Sequence, residues 1–154
     1  MAASTDPRSR LFPPAVPVVA TGLGIALQRF ERLALVARPA SWWIGGALIA
    51  AWLVLAALAN YQFRRAGTTP NPFGDVTAFV TGGVFGFTRN PMYLGLVLLQ
   101  AGVAFILSNG WVLLLVVPTI IVLDRLVIAG EERYLDAKYG ATYAAYRNRV
   151  RRWL

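Results

Sequence analysis

Three of the seven acidic side chains in this 154-residue sequence fall where a long apolar run ends: Asp124, Glu131 and Glu132. Arg125 stands beside the first of them. A second polar group, Arg89-Asn90-Pro91-Met92-Tyr93, opens the same apolar region upstream. Carboxylates accept hydrogen bonds or take up a proton, Asn and Arg donate to anions, and aromatic faces attract cations. His and Cys are both absent. Their absence removes disulfides, Cys/His zinc and haem sites, thiolate nucleophiles and imidazole acids or bases. Catalysis would have to run on carboxylates, Arg, Tyr, amides and backbone.

Asn90-Pro91 has the form of a helix start, with Asn as N-cap and Pro at the first helical position. Unpaired N–H groups and the positive dipole end make such a terminus an anion site, and Arg89 adds a full charge. The same dipeptide also serves as a plain helix start. Counting back from Asn109 to Asn90 gives about 28 Å of helix, and forward from Gly110 to Glu131 about 31 Å. Both groups therefore reach the same depth, and an anion-binding helix start faces an acidic pair across one mouth. That combination suits a zwitterionic or mixed-charge ligand. Asp124 and Arg125 lie about 21 to 23 Å along the second arm, inside the bilayer near one face. They are functional candidates there, or else polar contacts between helices and headgroups.

The elements that must position these groups are apolar. Hydrophobic residues make up 57% of the chain and charged ones 14%, and mean hydropathy is +0.55. A soluble domain is excluded on that balance. Residues 40–63 are free of charge and bracketed by Trp42, Trp43, Tyr61 and Phe63, which reads as one membrane helix. Residues 90–123 are too long for one crossing, and Ser108-Asn109-Gly110 breaks them into a hairpin of about 90–107 and 111–130. An earlier stretch, 11–28, carries Pro13, Pro14 and Pro17 and gives a further span. A cleaved signal peptide competes for that stretch, although Asp6 sits in the would-be basic region. The fold class is thus all-α: a polytopic integral membrane protein with about four transmembrane helices, a cytosolic re-entrant or lid loop over 64–89, and an amphipathic C-terminal helix. Residues 1–39 form an N-terminal segment and 40–154 the core.

The net charge of +8 sits in the flanks of these runs. Arg64, Arg65, Arg89 and the cluster after Glu132 place both ends of the hairpin on the cytoplasmic side. Membrane lipids, and no nucleic acid, are the partners this implies. Arg29, Arg32 and Arg38 then fall on the outer side with only Glu31 to offset them, against the positive-inside rule. A partly interfacial helix across 25–39 would soften the conflict. After Gly140, Tyr143, Tyr146 and Val150 recur at helical spacing, with Arg147, Arg149, Arg151 and Arg152 on other faces. That segment suits an anionic membrane surface, or serves only as a positive anchor.

The series Thr88-Arg89-Asn90-Pro91-Met92-Tyr93-Leu94-Gly95, an apolar hairpin, then Glu131-Glu132, Leu135, Tyr139-Gly140, Tyr143, Tyr146 and Val150 resembles the isoprenylcysteine carboxyl methyltransferases. Phospholipid methyltransferases are their close relatives. The resemblance covers about 65–154 and implies a multi-pass membrane methyltransferase using S-adenosyl-L-methionine, its site facing the cytoplasm and its lipophilic substrate entering laterally. Carried over by motif, the cofactor shell comprises Thr77, Ala78, Phe79, Val80, Phe85, Asn90, Pro91, Met92, Tyr93 and Glu131. Arg125 is the counterpart of the substrate-binding Arg, with a different spacing to the Glu pair, and is paired with Glu131 as catalytic. Asn90 stands where the family often has His, and Phe85 where it often has Tyr. The acceptor implied is a carboxylate or similar small nucleophile on a lipid-like molecule. Two other readings compete: an NADPH-dependent sterol-type membrane reductase, and a four-helix exporter of lipophilic cations working through Asp124.

Overall fold

Pro13 and Pro14 precede the first apolar helix and Pro17 sits in its first turn, where a missing N–H costs no intrahelical hydrogen bond. In the computed structural model, which describes residues 11–68 and 78–154, that helix is α1, Ala15–Phe30. It is followed by α2, Arg38–Arg65; α3, Pro91–Ile106; α4, Gly110–Tyr139; and α5, Ala141–Arg149. Among the described residues every regular element is helical. Among the described residues two helices are long and apolar enough to cross a membrane: α2 with 28 residues and α4 with 30. Helices α1 and α3 are apolar but shorter, at 16 residues each.

Helices α2 and α3 approach closely because each offers a glycine to the other. A Cβ at Gly45 would lie 2.8 Å from the Gly102 carbonyl, and one at Gly102 would lie 2.7 Å from Ile49. Small residues permit such backbone contact between apolar helices. Between α3 and α4 the chain turns at Ser108, whose φ is +48°. Asn109 then caps α4 by accepting from Val112 N at 3.1 Å, while its Nδ2 donates to the Gly24 carbonyl at 3.2 Å. One buried side chain therefore starts α4 and ties it to α1.

The interfacial helix expected across 25–39 ends early, since α1 stops at Phe30 and residues 31–37 are irregular. The tip of the hairpin takes their backbone groups instead. Gly110 N donates to Leu33 O at 2.7 Å, Trp111 Nε1 to Glu31 O at 2.8 Å, and Leu35 N to Ser108 Oγ at 3.4 Å. Carbonyls and amides engaged this way cannot also close helical turns.

Helix α4 is not uniform, because Leu123–Ile128 forms a π turn before α-helix resumes at Ala129. It ends at Gly140, whose φ of +48° and ψ of −120° suit a residue without Cβ. The chain then reverses into α5. Tyr143, Tyr146 and Val150 pack with Phe79, Leu135 and Tyr139 in a cluster at this end of the molecule. A second cluster, Val97, Leu123 and Val127, joins α3 to the π turn and is covered by Tyr93 and Trp153. Of the expected loop over 64–89, residues 69–77 lie outside the described part; the rest holds a 3-10 turn at Gly83–Gly86.

Candidate functional site

Pro91 occupies the first position of α3 and Asn90 its N-cap, which brings Tyr93 onto the first turn. Glu131 lies on the first turn after the π segment of α4. The two meet: Tyr93 Oη donates to Glu131 Oε1 at 2.5 Å. A carboxylate accepting from a phenol keeps further lone pairs for other donors. Glu132, next in sequence, turns to Arg89 at 2.9 Å. The Arg89 guanidinium also donates to the Tyr143 hydroxyl at 3.2 Å, while its Nε is buried with no hydrogen-bond partner among the described residues.

Arg152 completes the arrangement from the far end of the chain. Its guanidinium contacts Asp124 at 3.0 Å and forms a second ion pair with Glu132. Trp153 Nε1 donates to Asp124 at 3.0 Å. Hydrogen bonding to Glu132, and then to Asp124, holds the Arg152 guanidinium above its ordinary range against the opposing effect of burial. The π turn makes this bridge geometrically accessible. Eight residues of α-helix would leave Asp124 and Glu132 about 80° apart around the axis at about 100° per residue. The wider π turn advances less per residue and closes that gap.

Asn90 does a different job from capping. Its side chain makes no cap bond; Nδ2 donates to the Arg152 carbonyl at 3.0 Å. The Thr88 hydroxyl donates to the same carbonyl at 3.1 Å, and Arg89 N to the Arg151 carbonyl at 3.0 Å. Residues 150–153 are thus strapped across the start of α3. The Asn-Pro signal located the helix start correctly, but the amide belongs to the strap.

The other expected site residues divide. Pro91 is buried and Met92 half-buried on the first turn of α3, beside Tyr93. The Phe79 ring stacks on Tyr139 at 5.0 Å and meets Tyr143 and Tyr146 edge-on. Phe85 is buried edge-to-face against Phe63 at 5.1 Å, and its carbonyl accepts from Tyr146 Oη at 2.6 Å. Both rings are therefore packing groups. Ala78 and Val80 are half-buried in the segment leading to the 3-10 turn, and Thr77 lies outside the described residues. Arg125 is not brought into the cluster: its side chain is 80% exposed, with Asp124 at 3.7 Å. Burial pushes the Tyr146 phenol up to about 12, and burial followed by the Glu132 charge raises that of Tyr143.

Sequence reasoning missed Arg152 and Trp153 as members of this cluster, because four arginines in six residues look like an anchor. Asp124 and Glu132 were the available signal. Two carboxylates near the end of an apolar helix require a cation, and Arg89 can serve only one.

A sequence model of the family described as Phospholipid methyltransferase matches residues 40–142. A Haemophilus influenzae (strain ATCC 51907 / DSM 11121 / KW20 / Rd) protein described as uncharacterized is 41% identical over 63 residues, which is 41% of this chain and 100% of that one. No solved structure matches the chain.

Proposed function

The chain belongs to the phospholipid methyltransferase family, and from that footing we propose that it uses S-adenosyl-L-methionine to methylate a lipophilic substrate at the membrane–cytosol interface. The observation that carries this reading is the Tyr93–Glu131 contact beside the start of α3, an aromatic and a carboxylate held together at one mouth. The residues present fit a ligand with both charges. Arg89 Nε is a buried donor in need of an acceptor, and Glu131 is an acceptor for hydroxyl or ammonium groups. When bound, the cofactor supplies a methyl group on a sulfonium centre. Tyr93 orients Glu131, Met92 and Pro91 line the turn, and the backbone of residues 78–80 and 85 would close the other wall.

Four crossings, α1 to α4, with both ends of the hairpin in the cytoplasm, accord with the basic residues beside α2 and after α4. For Arg125 the proposed role is an outer one. Exposed on α4, it meets an acidic headgroup arriving from the side. A carboxylate or thiolate acceptor needs alignment and exclusion of water and no general base. An amine must arrive neutral, and Glu131 is the carboxylate near enough to take its proton.

Calorimetry with S-adenosylhomocysteine in detergent tests the cofactor: binding supports the reading, and none at millimolar ligand overturns it. A screen of lipid carboxylates, thiols, amines and phospholipids with the purified protein then identifies the acceptor.

A further inference from the structure

At the opposite end of α2 from this mouth lies a groove of about 690 Å³, lined by Arg38, Pro39, Trp42, Trp43, Gly46 and Ile106. Its floor is open because Gly46 has no side chain and a Cβ there would meet nothing within 4 Å. Its walls are unusually bare for indoles, with Trp42 58% and Trp43 83% exposed. Arg38, the first residue of α2, supplies its one charge. Arg29 and Arg32 are exposed at the same end of the bundle, and Glu31 is the acidic residue between them. The excess of cations on the outer side therefore lies beside an apolar slot. Because residues 31–37 form no interfacial helix, that excess is not relieved within the described fold.

We propose that this groove binds one anionic phospholipid of the outer leaflet, its phosphate on Arg38 and an acyl chain along Trp42, Gly46 and Ile106. Charge complementarity selects the ligand. An amphiphile with an anionic head and a hydrocarbon tail matches a single guanidinium at the mouth of an apolar slot, and a planar guanidinium suits phosphate oxygens. Indole rings favour the same interfacial depth. The proposal rests on α2 crossing a membrane and is independent of methyl transfer.

Native mass spectrometry of the full chain in mixed micelles tests it, with phosphatidylglycerol and phosphatidylcholine at equal concentration. One phosphatidylglycerol should be retained in preference to phosphatidylcholine. Retention should fall about tenfold in Arg38→Gln, which removes the charge-assisted contact. It should fall similarly in Gly46→Leu, which fills the slot at a position where the side chain has room and the helix gains propensity. Circular dichroism checks that both variants keep their helices. The proposal is overturned by equal retention of the two lipids, by loss in only one of the variants, or by a second copy of the chain bound in place of lipid. Cofactor binding is not read in this experiment, so either hypothesis can fail alone.

Discussion

At the scale of single residues, the Tyr93–Glu131 pair gives the sharpest expectations. Glu131→Gln keeps the shape and removes the charge, so S-adenosylhomocysteine affinity should fall about tenfold or more, the equivalent of a charge-assisted bond of ~1.5–3 kcal/mol. Tyr93→Phe should weaken binding less, because Glu131 survives without its orienting donor. Arg125→Ala should raise the Michaelis constant for lipid and leave that for the methyl donor near its starting value; equal changes in both would indicate general damage. Tyr146 makes an alkaline prediction. Its phenol rises from an ordinary value of 10.0 to about 12 in the folded chain, so the neutral form is the one the fold favours. The stability it contributes is fully present below pH 10 and is lost as pH rises toward 12. Thermal melts across that window should show the wild type losing stability more steeply than Tyr146→Phe. At neutral pH the same variant should be less stable by about 1 kcal/mol, through the unpaired Phe85 carbonyl.

Among the elements, the π turn and the strap over residues 150–153 depend on one another. Arg152→Gln leaves Asp124 and Glu132, 20% and 14% exposed, short of a cation. Thermal denaturation should record a loss of about 1 to 3 kcal/mol, less than for a fully buried pair because water reaches the guanidinium. Combining Arg152→Gln with Asp124→Asn should recover much of that loss, since Glu132 keeps Arg89 as its cation and Asp124 no longer carries an unpaired charge. How far the sequence disclosed this arrangement differs from element to element. Helix starts and breaks were readable at Asn90-Pro91, Ser108-Asn109 and Gly140, where cap and turn chemistry is local. The spacing of Tyr143, Tyr146 and Val150 likewise forecast a shared face, expected on a membrane surface; the structure turns it against Phe79, Leu135 and Tyr139 instead. The π turn was not readable, because no residue type announces it; Leu123 and Val127 within it pack on Val97 of α3. Partners separated by 64 residues, such as Thr88 and Arg152, leave no periodic trace. The side-chain bond of Asn90 is hidden for the same reason: the helix it starts is local and its hydrogen-bond acceptor, the Arg152 carbonyl, is distant.

For the whole molecule, the absence of native cysteine makes topology directly measurable. Single cysteines replacing Ala66 and Leu154 should both react with an impermeant thiol reagent from the cytoplasmic face, and one replacing Ala34 only from the other. Reactivity of Ala66 and Leu154 from opposite faces would dismantle the proposed mouth, because its two halves must share a side. The strap also has a consequence for biosynthesis. Translation delivers Thr88, Arg89 and Asn90 to the bilayer long before Arg151 and Arg152 leave the ribosome. During that interval the α3 start has no strap, and Asp124 and Glu132 gain Arg152 only once residues 151–152 are free. The cluster is therefore closed last, and a released chain truncated before residue 150 should keep its helices by circular dichroism yet bind no S-adenosylhomocysteine by calorimetry.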